Sequence, residues 1–274
     1  MPGVLGSANG RTATAVVLLA AIAIGALSAG QVAQRRAVLT AAARAALQLA
    51  LVGLLLAGVL RAPLGTAAFL LVMLTVACAT TTRRLAAFGR PWRQVLLASL
   101  VGAAPPVVAV LAVGALPFTS RYVLALTGIV LGGTMTVSTL AGRRLHDAMV
   151  RRRDEVEAWL SLGASSRQAV AGLTRVAVTE ALLPSLDQTR TVGLVTLPGA
   201  FVGALAGGAS PAAAARFQLL VLVSLLAAGS LAGCTLVYLL GAPATLPEAD
   251  SEQVARDGPR AAKHGPGKQV GLGK

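Results

Sequence analysis

Side chains able to do acid–base or metal chemistry are few, and their places are informative. The ten acidic residues are Asp147, Asp154, Glu155, Glu157, Glu180, Asp187, Glu248, Asp250, Glu252 and Asp257. With His146 and His264 they fall between the apolar runs of the chain or after the last of them, so none is expected in the middle of a membrane span. A proton-coupled carrier relays through intramembrane carboxylates or histidines, and a hydrolase needs a base beside its nucleophile; neither arrangement is legible. No GxxxxGK[ST] loop is present to cradle the phosphates of ATP. Cys78 and Cys234 lie singly in apolar runs and read as buried apolar cysteines rather than a redox pair or ligand set. The expectation is a chain with no catalytic centre and no directly bound cofactor.

What remains is suited to passing a solute rather than transforming it. Arg44 is a charge set within an apolar run, with Gln48 one helical turn on and on the same face. Such a residue either lines a polar path or reaches back to nearby headgroups. Thr134, Met135, Thr136, Ser138 and Thr139 give another run oxygen and sulfur groups, enough for weak, passing contacts with an ion. A third run opens on Thr191 and Gly193, continues through Pro198 and Gly199, and repeats a small residue every four positions at Gly203 and Gly207. That spacing allows close helix packing, and Pro198 frees a carbonyl that could sit at a gate.

One polar stretch has a helix–turn–helix signature. Residues 143–162 read as a charged helix, Gly163 as the left-handed residue that ends it, and Ser165 with Gln168 as the capping box of a second helix reaching Pro184. The whole connection, 142–190, is far longer than the few residues that usually join neighbouring helices. This suggests a docking element.

These pieces need a membrane around them. Of the 274 residues, 55% are hydrophobic and 12% charged, with a mean hydropathy of +0.75; a soluble domain carries about 25% charged residues. Apolar runs at 14–30, 37–60, 66–81, 94–116, 122–141, 191–207 and 212–240 read as about seven spans of an all-α polytopic transmembrane bundle. The first could also be a cleaved signal peptide, but its length and the Arg35-Arg36 that follows favour a retained helix. The net charge is +14, and most arginines stand in every second connection, at 35–36, 83–93 and 143–190. By the positive-inside rule these connections are cytoplasmic, the N-terminus outside and the C-terminus inside. With aromatics at 3%, nucleic acid is not the expected partner. Residues 1–241 form the membrane domain, and the tail 242–274 is too poor in large apolar residues to fold.

The stretch Glu157, Ala158, Trp159 to Leu162, Gly163, Ala164 and Ser165 resembles the coupling segment by which ABC-transporter permeases dock on their ATPase. The Leu-Pro that closes the importer form comes later here, at Leu183-Pro184. The longer pattern resembles the FetB-type permeases, which include bacterial iron-export permeases and plant aluminium-tolerance relatives. It runs through 160–165, 181–187 and 191–199, then Gly203, Gly207, Pro211 and Phe217-Gln218, with further matches at 44–49 and at Gly128, Gly132 and Met135. Two positions depart from that family: Ala200 and Phe201 stand where methionines are usual, and Gly133 where asparagine is usual.

The resemblance implies a permease subunit in the cell membrane, paired as a homodimer with a separate cytoplasmic ABC ATPase. That partner hydrolyses ATP and drives export of metal ions, iron first. It implies coupling through Glu157, Ala158, Leu162, Gly163, Ala164 and Ser165. It also implies a path or gate near Arg44, Gln48, Gly132, Met135, Thr191, Gly193, Pro198, Gly199, Gly203, Gly207 and Gln218. The rival expectation is a channel or secondary carrier that needs no ATPase.

Overall fold

A computed structural model describes residues 8–59 and 63–242; the expected disordered tail lies, beyond 242, outside them. The described residues are helical almost throughout. Among them, seven helices are long and apolar enough to cross a membrane, the number expected from the sequence.

The chain divides into two units at Thr66. In the first, α1 (Ala8–Ala29) and α2 (Arg35–Val59) form an antiparallel hairpin. Its turn passes through Gln31, at a φ of 54°, and closes with Val32 N–H donating to the Leu27 carbonyl over 2.9 Å. Most of their apolar side chains face outward, as suits helices solvated by lipid. Helix α3 (Pro63–Arg84) follows and ends in Arg83 and Arg84, cations placed where the helix dipole is negative.

The second unit holds α4 (Trp92–Ala112), α5 (Ser120–Arg151), α6 (Arg153–Ser161), α7 (Ser166–Thr191), α8 (Gly199–Ala206) and α9 (Pro211–Leu240). Helix α9 is its axis and packs on α4, α5, α7 and α8. Small residues set these contacts, as expected where no water drives helices together. A Cβ on Gly102, midway along α4, would come within 2.6 Å of Ala232 Cβ and 2.9 Å of the Ala228 carbonyl oxygen. Gly229 and Gly233 of α9 admit Val137 of α5, and Gly142 admits Leu85. One end of the core is built on Leu85, Val95, Leu145, Met149, Val156, Val170 and Leu236, the other on Leu126, Val130, Val221 and Ala228.

One span is not where the sequence places it. The run 191–207 forms no crossing helix. Val192 is extended, Gly193 has a φ of 84°, and Pro198 caps α8, an eight-residue helix. At 1.5 Å per residue it is about 12 Å long, less than half the hydrocarbon thickness. The sixth span-length helix is α7, in which Pro184 lies inside the helix. From Val170 to Leu182 it runs antiparallel to α9, with Val170 and Thr174 beside Gly241, Val178 beside Gly233, and Leu182 beside Gly229. The stretch between α5 and α7 therefore shrinks from 142–190 to 152–165.

Candidate functional site

The short hairpin between α5 and α7 is built from local rules. Helix α6 carries Asp154 and Glu155 in its first turn, where the helix dipole favours anions. Arg153 Nε donates to Glu157 Oε1 over 2.7 Å, one turn along. Val156 is buried and pins the helix to the core. The helix ends in a Schellman motif: Ala164 N–H donates to the Trp159 carbonyl over 3.1 Å and Gly163 N–H to the Leu160 carbonyl over 3.0 Å. Gly163 takes a φ of 87°, which a side chain would strain.

Ser165 then caps α7. Its N–H donates to Gln168 Oε1 over 2.9 Å, and its Oγ accepts from the Gln168 N–H over 3.4 Å, the reciprocal box read from the sequence. Between these stops, Trp159 and Leu162 are 51% and 81% exposed. The capped tip thus presents two large apolar side chains, with the exposed charges Arg152, Arg153, Glu155 and Glu157 in the turns before them. Exposed apolar groups rimmed by charge are the ordinary make-up of a contact surface.

Of the residues expected along a path, Gly193, Pro198 and Gln218 come together. They line a cavity of about 240 Å³ with Val192, Leu197, Phe201, Ala215, Leu219 and Leu222, where α9 meets the loop after α7. Gln218 is the one polar side chain among them; it is 5% exposed and its Oε1 has no hydrogen-bond partner. An unmet buried acceptor costs stability. Gln218→Leu is therefore expected to stabilise the protein in detergent by about 1 kcal/mol, read as a higher unfolding midpoint. A lower midpoint would show that Oε1 is bonded in the membrane-embedded protein. Thr191 ends α7 and donates its hydroxyl to the Asp187 carbonyl. Gly199 and Gly203 have open space where a Cβ would go, and Gly207 ends α8, so no tight crossing forms on them among the described residues.

The hydroxyls of α5 do not line one face. Thr134, Ser138 and Thr139 are buried in the bundle, with Thr134 donating to the Leu131 carbonyl and Thr139 to that of Met135. Thr136 faces outward beside Gly132, and Met135 is half-buried. At Gly133, the Cδ2 of Leu225 lies 2.4 Å from where a Cβ would stand, so a larger side chain there needs Leu225 to shift. The room a larger side chain would need is filled from α9. Arg44 and Gln48 stand exposed, one turn apart, on α2 of the first unit.

Sequence reasoning missed Glu180. With α7 a span-length helix, this carboxylate is mid-helix rather than between spans, and Arg144 Nε of α5 meets its Oε2 at 3.2 Å. The clue lay in the period of Ala169, Val170, Leu173, Ala177, Val178 and Ala181, the buried stripe of a packed helix. The charges on the opposite face had hidden it.

No solved structure matches the chain. It is 35% identical over 169 residues to the UPF0014 membrane protein STAR2 of Oryza sativa subsp. japonica, covering 62% of this chain and 59% of that protein. It is 34% identical over 169 residues to the protein ALUMINUM SENSITIVE 3 of Arabidopsis thaliana, covering 62% of each. It is 32% identical over 143 residues to the probable iron export permease protein FetB of Escherichia coli K12, covering 52% of this chain and 55% of that one. The match thus spans less than two thirds of each of these three relatives. The model of the uncharacterised protein family UPF0014 matches residues 11–243, and the chain belongs to that family of membrane proteins.

Proposed function

We propose that this chain is the membrane-spanning subunit of an ABC transporter that exports metal ions, iron first, from the cell through the inner or plasma membrane. It does so as a homodimer with two copies of a separate ATPase. The observation that carries the reading is the capped hairpin tip, with Trp159 and Leu162 held outward between two span-length helices. A tip of this kind transmits a push along α5 and α7 into the bundle. The arginines at 143–153 support a cytoplasmic position for the tip by the positive-inside rule, the side on which an ATPase would meet it. ATP enters through that partner, since the sequence has no phosphate-binding loop of its own. The name of the Escherichia coli relative supports iron as the first cargo to test.

A second reading gains from Glu180. A mid-span carboxylate is what a proton-coupled carrier uses, so an ATPase-independent carrier is the alternative. Inside-out membrane vesicles holding the chain and its ATPase decide between them. The ABC reading expects ferrous iron to accumulate on adding ATP and not with ADP. Uptake driven by a proton gradient with no nucleotide would replace it with the carrier.

A further inference from the structure

Resting on the reading that this chain moves a solute, we propose that the outward face of α7, centred on Glu180, is a wet wall of the transport path. It offers oxygen ligands to a cationic cargo, and Arg144 is the counter-ion held there when no cation is present.

Depth comes first. Gly229 and Gly233 of α9 lie beside Leu182 and Val178, which puts Glu180 level with residues 229–233. Gly102, midway along α4, meets Ala228 and Ala232 at that same level. Glu180 therefore sits at the depth of the middle of a 21-residue apolar helix, not at a helix end.

Direction comes second. Ala177, Val178 and Ala181 are buried against the bundle, while Thr179, Glu180, Asp187 and Gln188 are exposed on the opposite side, interspersed with the exposed Val176 and Leu183. The side chains of Arg144 and Glu180 are 52% and 43% exposed although they pair. Gly132 and Thr136 of α5 are exposed as well. An ion pair and a row of polar groups at this depth are costly against hydrocarbon, so membrane proteins turn such faces to water or protein.

The backbone adds an independent pointer. Pro184 has no N–H to give to the carbonyl four residues earlier, which is that of Glu180. The Thr179 hydroxyl donates to the Arg175 carbonyl over 2.9 Å, which leaves its lone pairs free to accept. One turn thus presents a carboxylate, a carbonyl released from the helix ladder and a hydroxyl oxygen. A carbonyl freed from the helix ladder beside side-chain oxygens is the kind of ligand set that meets a cation in passing. Asp187 and Gln188 continue the row two turns on, with Arg190 3.5 Å from Asp187.

The test uses the full-length chain in membrane vesicles, with Cys78→Ala and Cys234→Ala as background. Thr179→Cys and Gln188→Cys are exposed and should fold. Leu231→Cys and Val223→Cys, exposed on α9 at matching depths, serve as controls. A small charged thiol reagent should label the two α7 positions at least tenfold faster than the controls. Ferrous iron kept reduced should slow labelling at 179, and Glu180→Gln should abolish that protection. Labelling no faster than the controls would overturn the wet wall. Fast labelling that iron does not slow would overturn the cation contact. Neither result depends on ATP or an ATPase, so a failure of the ABC reading remains separately visible.

Discussion

Leu162→Asp should reach the membrane at wild-type levels yet lose ATP-driven transport at least tenfold. Leu162 is 81% exposed, so the charge enters water and removes nothing from the core. What it removes is an apolar anchor at the tip of the α6–α7 hairpin, where a desolvated contact carries most of a docking energy. Gly163→Pro tests the same tip through the backbone. Gly163 has a φ of 87°, which proline's fixed φ of about −65° cannot match. The substitution also deletes the N–H that bonds the Leu160 carbonyl. Glu157→Arg would set a like charge beside Arg153, its present partner at 2.7 Å. Protein level by immunoblot and metal efflux, measured together, separate loss of coupling from loss of protein. Full transport by Leu162→Asp and Gly163→Pro would remove the hairpin from the mechanism.

Gly102→Leu should be the most damaging single change in the bundle. Its first added carbon would stand 2.6 Å from Ala232 Cβ and 2.9 Å from the Ala228 carbonyl. The second of these is helix backbone and cannot swing away. Overpacking of this kind costs about 3 kcal/mol, roughly a hundredfold in the folded fraction. The protein should be recovered poorly and unfold earlier in detergent. Gly172→Leu is the control: it lies on an exposed stretch of α7 with open space at its Cβ, so it should be neutral or slightly stabilising. Equal behaviour of the two variants would contradict the packing of α4 on α9.

The sequence was most readable where structure is local. Gly163 and the Ser165–Gln168 box act within one turn, and both form as their residue types require. Span number was readable because length and apolarity are summed over many residues. The place of the sixth span was not. Arg175, Glu180, Asp187 and Arg190 make α7 look like a surface helix, and Pro184 looks like its end. Only packing against α5 and α9 shows that one face of α7 is core and that the proline is carried within the helix. In the run 191–207, apolarity suggested a span where backbone geometry at Gly193 and Pro198 dictates a loop. The cavity around Gln218 was half legible: its residues were singled out, but their meeting depends on how α9 lies beside that loop.

The arrangement at Gly133 shows the same limit. Nothing in the sequence links position 133 to position 225, and only the crossing of α5 and α9 reveals that Leu225 fills the space. Glu180 is the functional counterpart. Its chemistry was always visible, but its depth follows from the register of three helices.

As proposed, this chain transmits the work of an ATPase through its hairpin. The most direct measurement is native mass spectrometry of the protein purified gently from its own membrane. Two copies of the chain with two copies of an ABC ATPase are expected, and loss of the ATPase from Leu162→Asp. Recovery of the chain without any ATPase, from membranes that still export metal, would contradict it.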